Sequence, residues 1–380
     1  MSLIVSIGTA VPPYKNQQAA IASFMEDAYQ ETPGALRKLR FLHEHSGIDT
    51  RHSVLADFSQ QLGERLFFPV PHMNGSEPKV DRRMEEYERQ ALPLATEAIH
   101  EAVKSLATVG EALKTDEITH LITVSCTGLV APGLDVALVQ QLGLPPDVWR
   151  TSVNFLGCNA AFHALKQADL ICRTDNQAVV LVICVELCTL HFQPSEQSDH
   201  LLANSLFADG AAASVITSTT QARQKGWSGL HIDGFYGTLA HEGKEAMGWF
   251  VTPKGFVMTL SNRVPSLLLK HCNDMLERAL ARFRLQREQI GHWAIHPGGK
   301  KILDAVQEAF RLEDRDMQTS REVLQHFGNM SSPTILFVLR HYLEARLEIR
   351  RAGQQLAKLF AVGFGPGLSM ESAIFSYVYD

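Results

Sequence analysis

The sequence predicts an α/β protein built from two similar halves. Short apolar runs alternate with segments of helical periodicity along most of the 380 residues, which is the pattern of an α/β fold. Hydrophobic residues make up 45% of the chain and charged residues 20%, as in ordinary globular enzymes. The segment HLITVSCTG at 120 has a counterpart, HWAIHPGG, at 292, and a polar turn followed by a helix comes after each. This recurrence predicts an internal duplication.

The predicted elements fall into two sets, one in each half. The strands of the first half are 3–8, 120–125, 151–154, 179–185 and 211–216, and those of the second are 231–236, 292–295, 359–362 and 372–377. The predicted helices are 83–105, 132–142, 159–172, 265–284, 300–310 and 332–348. Residues 57–82 lack a clear period and are predicted to form a long surface excursion. The polar stretch STTQARQKG at 218 separates the two sets, so the halves are assigned to residues 1–222 and 223–380.

Composition and charge narrow the range of functions. A net charge of -6 and a pI near 6.2 do not favour nucleic-acid binding. No apolar stretch is long enough for a membrane span, and the N-terminus lacks the features of a signal peptide, so we expect a cytoplasmic protein. Six cysteines are too few for a disulfide framework. Cys184 and Cys188 lie in the apolar run VVLVICVELC, which favours a buried strand over a metal site, and we expect no bound metal.

Cys158 is a candidate nucleophile because of its place in the segment FLGCNAAFHAL. A strand there passes through a turn of small residues into an apolar helix. The positive end of a helix dipole and a nearby histidine both favour thiolate over thiol. The alternative is that Cys158 is a small buried hydrophobic residue, as free cysteines usually are.

His296 and Asn329 are the second and third candidates. His296 follows an apolar strand, and the carboxyl end of a strand is a common place for a site in an α/β fold. Asn329 precedes a helix, so an ordinary turn or capping role is its alternative, just as His296 could simply end a core strand. Cys158 and Asn329 are 171 positions apart, close to the 172 between the repeated segments at 120 and 292. A duplicated fold would therefore bring Cys158 and Asn329 face to face, with His296 close by.

Five motifs in this order give the chain a family resemblance. They are GCNAAFHAL around Cys158, LFADGAAASV around Phe207, IHPGGKKIL around His296, GNMSSPT around Asn329 and GFGPGLSMES from 363. From about residue 3 to its end, the chain resembles the type III polyketide synthases, the chalcone-synthase-like branch of the thiolase-fold condensing enzymes. The resemblance implies a thiolase-like fold, in which two pseudo-duplicated α/β halves form a five-layered αβαβα core, and a homodimer.

The resemblance also implies a Cys–His–Asn triad and its chemistry. Cys158 would accept a starter acyl group from an acyl-CoA, and malonyl-CoA would supply the extender units by decarboxylation. His296 and Asn329 would donate hydrogen bonds to the enolate oxygen, which lowers the barrier to loss of carbon dioxide. Coenzyme A thioesters are then substrates, and no cofactor or metal is expected.

Two positions match the gate between the coenzyme A tunnel and the cavity in this family. Phe207 matches the invariant gatekeeper, and core packing is its alternative role. Met258 matches the second gatekeeper, where the plant enzymes carry phenylalanine. A flexible methionine would widen or reshape the pocket.

The resemblance assigns further residues to the cavity wall. Cys126, Thr127, Cys188 and His191 match cavity-lining positions, although Cys126 could be a passive part of the wall. Ala131 matches the residue that reaches across the dimer into the neighbouring cavity. Met258 and Ala131 together indicate room for an alkyl starter, giving alkylpyrones or alkylresorcinols. Bulky side chains beyond Met258 would count against that hypothesis.

Coenzyme A binding is assigned to a basic cluster and to small residues. Arg37, Lys38 and Arg40 lie where the family's binding residues are found, because phosphates need nearby cations, although a solvated helix face would explain the cluster equally well. Phe41 and His45 depart from the family pattern, which has basic residues at both positions. Three small residues, Gly298, Gly299 and Ser331, would let the pantetheine arm pass close to the backbone.

Three other functions compete with a type III polyketide synthase. A β-ketoacyl carrier-protein synthase of the priming type would use the same triad for one condensation, and the HPGG and GFGPG segments argue against it. A 3-hydroxy-3-methylglutaryl-CoA synthase needs a glutamate acid before the cysteine, but Glu85, Glu86, Glu88 and Glu97 lie in no site-like turn. A non-catalytic binding protein would lack a triad member, and all three are present. The starter and the cyclisation, to a pyrone, resorcinol or phloroglucinol, stay open.

Overall fold

Thirteen strands and eleven helices make up the part of the chain that the computed structural model describes, residues 1–28, 33–69, 77–108, 110–195, 197–351 and 357–377. The strands are β1 Ser2–Ala10, β2 Tyr14–Gln17, β3 Thr50–Ser53, β4 His120–Ser125, β5 Trp149–Asn154, β6 Val179–Leu187, β7 Asp209–Ser218, β8 Leu230–Leu239, β9 Met247–Thr252, β10 Gly255–Leu260, β11 Ile290–Ile295, β12 Lys358–Gly365 and β13 Ser369–Tyr377. The helices are α1 Gln18–Ala28, α2 Pro33–Glu44, α3 Val80–Leu106, α4 Leu134–Leu142, α5 Ala160–Thr174, α6 Ser198–Leu206, α7 Thr219–Lys225, α8 Val264–Phe283, α9 Lys300–Phe310, α10 Asp314–Phe327 and α11 Thr334–Arg351.

Nine of these strands form one sheet in the order β11-β12-β13-β8-β1-β7-β6-β4-β5. Only three residue pairs join β1 to β8, at Ser2–Ile232, Leu3–His231 and Ile4–Leu230, and this short contact links two strand sets. The first set runs β5-β4-β6-β7-β1 and the second runs β11-β12-β13-β8. The order β4-β6-β7-β1 in the first set therefore matches the order β11-β12-β13-β8 in the second. Helix α10 lies in the chain where the second half would carry the counterpart of β5. The predicted duplicated α/β fold is confirmed.

Three hydrophobic clusters divide the molecule into five layers. Helix α3 packs on the outer face of the first strand set. Helices α5 and α11 lie in the middle and contact both sets, and α8 and α9 cover the outer face of the second set. Along β6, Val180 and Val182 face the middle layer whereas Leu181 and Ile183 face α3. Because both faces of the strand are covered, the run VVLVIC is apolar throughout, and the layers follow the predicted αβαβα order.

Residues 57–69 differ from the surface excursion that the sequence predicts for residues 57–82. Phe58, Phe67 and Phe68 are buried. The rings of Phe58 and Phe68 contact those of Phe24 and Phe192, and the ring of Phe67 contacts that of Phe68. Burying three large rings gives this irregular segment its own hydrophobic anchor. Residues 70–76 lie outside the described part of the chain.

The predicted boundary between the halves at residue 222 falls inside a helix. Helix α7 spans Thr219–Lys225, and Ser218 caps it by accepting a hydrogen bond from the Gln221 amide. Ala222 and Trp227 are buried on the first half. The polar stretch is therefore a short amphipathic helix, and Gly226, in the left-handed conformation, ends it.

The sequence prediction also omitted several elements, including the β9–β10 hairpin, α2, α6 and α10. The two hairpin strands pair only with each other, and α6 has nine residues, so each pattern is short. Cys184 lies within β6 and Cys188 directly after it. Among the described residues, no three His, Cys, Asp or Glu side chains are grouped to hold a metal ion. Within those same ranges, no helix is long and apolar enough to cross a membrane.

Candidate active site

Cys158 lies in a tight turn between β5 and α5. Phe155 has a φ of 59° and Gly157 a φ of 78°, and a 3-10 turn at Gly157–Asn159 leads into the helix. A Cβ atom on Gly157 would lie 2.2 Å from Cδ of Pro366, so only glycine fits there. The turn leaves Cys158 at 6% exposure, facing the second half of the chain.

Asn329 faces Cys158 from the second half. Both terminal atoms of its amide lie 4.0 Å from Sγ of Cys158. The Ser331 amide donates to Oδ1 at 2.8 Å, and Nδ2 donates to the Gly298 carbonyl at 3.2 Å. These two bonds define which end of the amide is the donor, and they leave one N–H of Nδ2 for another acceptor.

His296 follows β11, and its amide donates to the Val362 carbonyl at 2.8 Å. The ring is buried, and neither nitrogen has a hydrogen-bond partner among the described residues. His296, Cys158 and Asn329 line one chamber of about 20 Å³. The rest of its wall consists of one glycine and six residues with apolar side chains, namely Gly298, Phe207, Met247, Met258, Leu260, Ile302 and Phe364. The structure thus brings the three predicted residues together.

Burial sets the protonation of the chamber. Desolvation raises the pKa of the Cys158 thiol to about 11, although hydrogen bonds from Ser331 and Asn329 favour the thiolate. It also lowers the pKa of His296 to about 3. Burial thus opposes the predicted preference for thiolate, because loss of water around the sulfur disfavours the charge that the helix dipole would stabilise. Both pKa shifts favour the neutral thiol and the neutral imidazole near pH 7.

Two larger cavities share walls with this chamber. An inner cavity of about 70 Å³ shares Phe207 and Met258 with it, and an outer cavity of about 270 Å³ shares Leu260 and Ile302. Phe207 and Met258 thus lie between the chamber and the inner cavity, at the predicted gate positions. A substrate could enter from the outer cavity and extend inward past the chamber.

The inner cavity has the predicted wall residues together with several large rings. Cys126, Thr127, Cys188, His191 and Ser331 all line it. Its lining also includes the large apolar side chains of Met25, Phe58, Phe192, Trp249 and Phe256. Ala131 does not line this cavity and lies on an exposed loop.

Cys126 and His191 are fixed parts of the wall. The Gly157 amide donates to Sγ of Cys126 at 3.0 Å, and burial raises the pKa of that thiol. His191 Nε2 donates to the Thr127 carbonyl at 2.8 Å, and its Nδ1 accepts from the Phe256 amide at 3.1 Å. Desolvation lowers the pKa of His191 to about 3, so the ring is neutral near pH 7. Its two hydrogen bonds occupy both ring nitrogens. Unlike His296, it is not available for proton transfer.

Glu186 is a buried carboxyl that sequence reasoning missed. It accepts hydrogen bonds from the Cys126 amide at 2.9 Å, from Thr127 Oγ1 at 2.8 Å and from Ser332 Oγ at 2.7 Å. Desolvation raises its pKa to about 7. The sequence contains one sign of its importance, which is a single glutamate at the end of an otherwise apolar strand. A buried carboxylate needs hydrogen-bond partners, so such a residue indicates a structured polar site.

The residues assigned to coenzyme A are distributed over all three cavities. Lys38 and Gly299 line the outer cavity, Gly298 the chamber and Ser331 the inner cavity. Arg37 and Arg40 line none of them, and Arg40 is paired with Glu26 at 2.6 Å. The prediction omitted Lys300 and Lys301, which also line the outer cavity. Their position directly after Gly298 and Gly299 could have indicated this role in the sequence.

The duplicated αβαβα architecture, with Cys, His and Asn around a chamber between its halves, is that of the thiolase-like condensing enzymes. Among solved structures, the chain is similar to PKS-I from the brown alga Ectocarpus siliculosus, with a TM-score of 0.89, 26% identity and coverage of 99% of this chain and 98% of that one. It is also similar to the C-terminal type III polyketide synthase domain of Steely1 from Dictyostelium, with a TM-score of 0.87, 25% identity and coverage of 100% and 99%.

Sequence comparisons identify the family. The family model for the N-terminal domain of chalcone and stilbene synthases matches residues 1–220, and the model for their C-terminal domain matches residues 237–378. The alpha-pyrone synthesis polyketide synthase-like Pks18 of Mycobacterium tuberculosis is 28% identical over 100% of this chain and 92% of its own length. The chain belongs to the chalcone and stilbene synthase family, and it is an acyltransferase of the type III polyketide synthase class.

Proposed function

We propose that Cys158 accepts the acyl group of an acyl-CoA and that malonyl-CoA then extends it by decarboxylative condensation, with His296 and Asn329 assisting. The observation that supports this most directly is the shared chamber. A thiol, an imidazole with no hydrogen-bond partner among the described residues and an oriented amide surround about 20 Å³ of apolar space next to a larger outer cavity.

Loading would begin from the neutral pair. As Sγ of Cys158 bonds to the thioester carbonyl carbon, the thiol becomes much more acidic. Its proton therefore passes to His296, although the pKa of His296 is low. The carbon–sulfur bond to coenzyme A then breaks, and the departing thiolate takes the proton back from His296. The products are an acylated Cys158 and free coenzyme A, with His296 neutral again.

Extension would use the same two donors. When malonyl-CoA loses carbon dioxide, the electron pair of the broken carbon–carbon bond moves onto the thioester oxygen as an enolate. The N–H of His296 and the free N–H of Asn329 would stabilise that oxygen. Phe207, Met258 and Leu260 exclude water, which strengthens both bonds. The enolate carbon then attacks the acyl group, and the Cys158 thiolate departs.

The size of the inner cavity favours a short starter. At about 70 Å³, it has room for only about five to seven water-sized groups. Phe58, Phe192, Trp249 and Phe256 line it together with Met258, and these bulky side chains count against the alkyl-starter hypothesis. We propose a small starter and a small α-pyrone product. Lactone formation needs no separate base, which agrees with the fully bonded His191.

We propose a homodimer joined at the edge strand β5. This strand ends the sheet, and it exposes Trp149, which is 75% accessible. Leu129, near Ala131, is 54% accessible, so an apolar surface adjoins an unpaired strand edge. Light scattering of wild type and Trp149→Glu tests this, with a monomeric variant expected. A wild type that is monomeric at micromolar concentration would contradict the proposal.

Two further assignments are proposals, one with a shifted boundary and one as the sequence predicted it. We propose that the halves divide at the end of α7, near Gly226, instead of at residue 222, because α7 packs on the first half. We also propose a cytoplasmic location, since all six cysteines are free thiols, as is usual in a reducing compartment.

Mass spectrometry of the products tests the function. Wild type, Cys158→Ala and the matched control Cys272→Ala, a buried cysteine in α8, are incubated with malonyl-CoA and acyl-CoA starters of increasing length. Polyketides are expected from short starters with wild type and Cys272→Ala, and none with Cys158→Ala. Turnover only with acyl carrier-protein substrates would instead indicate a single-condensation ketoacyl synthase. Equal turnover by Cys158→Ala would refute the nucleophile.

A further inference from the structure

A small pocket shares the gate residue Phe207 with the chamber and the inner cavity. This rear pocket has a volume of about 10 Å³, and its wall includes Phe207, Phe58, Asn16, Arg51, Ser53 and Thr189. Phe207 also lines the chamber and the inner cavity, so one ring borders all three spaces. A space of this volume holds about one water-sized group.

Arg51 brings a buried, incompletely bonded guanidinium to the rear pocket. The residue is 2% exposed, and its Nη1 donates to the Phe207 carbonyl at 2.6 Å and to the Asn204 carbonyl at 2.9 Å. Its Nε donates to Gln18 Oε1 at 2.8 Å. Nη2 has no hydrogen-bond partner among the described residues. A buried charged donor without a partner is costly, so Nη2 needs an acceptor.

Asn16, in β2, brings the opposite requirement to the same pocket. Its side chain is 2% exposed, and Nδ2 donates to the Tyr14 carbonyl at 2.9 Å, which defines the other terminal atom as Oδ1. Oδ1 is buried and has no partner within the described part of the chain. Asn16 Oδ1 therefore needs a donor, whereas Arg51 Nη2 needs an acceptor.

The two hydroxyl groups in the wall do not meet the need of Asn16. Thr189 Oγ1 donates to Asp209 Oδ2 at 2.6 Å, so Ser53 Oγ is the donor in its 2.8 Å bond with Thr189 Oγ1. Ser53 Oγ also accepts from the Leu55 amide at 2.9 Å. Because both hydroxyl protons are used in these bonds, a donor for Asn16 Oδ1 must come from a molecule in the pocket.

We propose that the rear pocket binds one water molecule, which donates to Asn16 Oδ1 and accepts from Arg51 Nη2. Water fits because a single small group must act as both donor and acceptor. An anion would leave Asn16 Oδ1 unpaired, and the guanidinium would repel a cation. The water supplies the acceptor that Nη2 lacks, and Arg51 in turn holds the Phe207 carbonyl. Asn16 is then a positioning residue for the gate, acting through the water and Arg51.

High-resolution crystal structures of wild type and Asn16→Leu test the water directly. In wild type we expect a solvent peak about 2.7–3.2 Å from both Asn16 Oδ1 and Arg51 Nη2. In Asn16→Leu the apolar side chain should displace it. A wild-type pocket without the peak, or a peak that persists in Asn16→Leu, would overturn the proposal. The wild-type structure decides the matter even where the variant does not fold.

Activity assays test whether Asn16 positions the gate. In Asn16→Leu, kcat for polyketide formation should fall about threefold or more, because Arg51 and Phe207 shift. The Kd of coenzyme A should stay unchanged, since no residue of the rear pocket lines the outer cavity. Thr50→Val is the matched control, because Thr50 is 5% exposed in the neighbouring strand β3 and lines neither the rear pocket nor the other three spaces.

The outcomes separate the water from the function. A kcat equal to that of wild type, or an equal loss of kcat in both variants, would refute the positioning role of Asn16. The activity assay rests on the proposed function, whereas the solvent peak does not. A bound water in a wild type that makes no polyketide would support the rear pocket as a water site and refute the proposed function.

Discussion

Phe207 and Asn329 are joined by an isolated parallel β-bridge between the two halves of the chain. The Ala208 amide donates to the Asn329 carbonyl at 2.9 Å, and the Asn329 amide donates to the Leu206 carbonyl at 3.0 Å. The residue at the gate and the amide that faces Cys158 are therefore attached backbone to backbone. Any displacement of one displaces the other.

Replacing Asn329 with alanine should lower kcat for polyketide formation by about 10²–10³-fold, because it removes one donor from the enolate oxygen. The bridge to Phe207 uses only backbone atoms, so the fold should persist. Product formation is measured by mass spectrometry and folding by thermal melting. Asn176→Ala, in an exposed turn, is the control. A kcat within twofold of wild type would show that Asn329 does not stabilise the enolate.

Arg51 connects the gate to its surroundings and provides a second prediction. Its Nη1 donates to the Phe207 carbonyl at 2.6 Å and to the Asn204 carbonyl at 2.9 Å, and Nε donates to Gln18 at 2.8 Å. Arg51→Lys retains the charge but loses this three-way geometry, so we expect a drop in kcat of about tenfold or more through displacement of Phe207 and Asn329.

The readout for Arg51→Lys separates positioning from binding. The Kd of coenzyme A should stay unchanged, because Arg51 does not line the outer cavity. Arg150→Lys, which alters an exposed ion pair with Asp135, is the matched control. A weaker affinity for coenzyme A with unchanged kcat would contradict a positioning role.

The inner cavity should accept longer starters when Met25 is shortened. Met25 is 2% exposed and forms part of its wall, so Met25→Ala would enlarge the space available to the acyl chain. Met275→Ala is the matched control, because Met275 is 1% exposed in α8 and lines none of the three cavities. Both changes should cost about 2–5 kcal/mol of stability, but only Met25→Ala should extend the starter range. An equal range in both variants would refute this limit on size.

The raised pKa of Cys158 predicts a steep pH dependence of its alkylation. With a pKa of about 11, the thiolate is a minor species below pH 10, and the rate with iodoacetamide should rise about tenfold per pH unit between pH 7 and 10. Modification of the Cys158 peptide is followed by mass spectrometry. A rate that is constant above pH 7 would instead indicate a thiolate–imidazolium pair with His296.

Buried histidines should make the protein sensitive to acid. The pKa of His191 is about 3 in the folded chain against 6.5 in the unfolded one, so between these values the unfolded chain binds more protons. The stability that neutral His191 contributes is present above pH 6.5 and is lost as the pH falls toward 3, by up to about 1.4 kcal/mol per unit. His296, with a pKa of about 3, and His43, with a pKa of about 4, act in the same direction.

Urea unfolding of wild type and His191→Phe between pH 7.5 and pH 4.5 isolates this effect. The stability difference between them should shrink as the pH falls. The raised carboxyl pKa values, about 7 at Glu186 and about 6 at Asp209, favour the folded state at acid pH. Both carboxyls are present in wild type and in the variant, so their contributions cancel in the stability difference between the two proteins. His100→Phe, on the exposed surface of α3, is the control. A difference that does not change with pH would contradict the buried neutral state of His191.

Much of the fold was predictable because strong periodicity survives in long buried elements. The strand at 120–125 and the helix at 300–310 have the predicted bounds, and the repeat spacing anticipated the duplicated strand order. The β9–β10 hairpin, α6 and α10 were missed because short or polar elements have a weak pattern. Residues 57–69, the described first part of the predicted excursion, were misread because a few aromatic anchors, with no period, place them against the core.

The sequence by itself determined the family, the two-half architecture and which cysteine, histidine and asparagine come together, because local motifs and spacing encode strand–turn–helix units. Tertiary structure decided the rest. It gave the ring of His191 two hydrogen bonds and the ring of His296 none within the described part of the chain, although both are buried histidines. It turned Arg40 toward Glu26 and brought Lys300 near Lys38. Burial, cavity size and pKa depend on which distant segments exclude water from a side chain, and no local pattern contains that information.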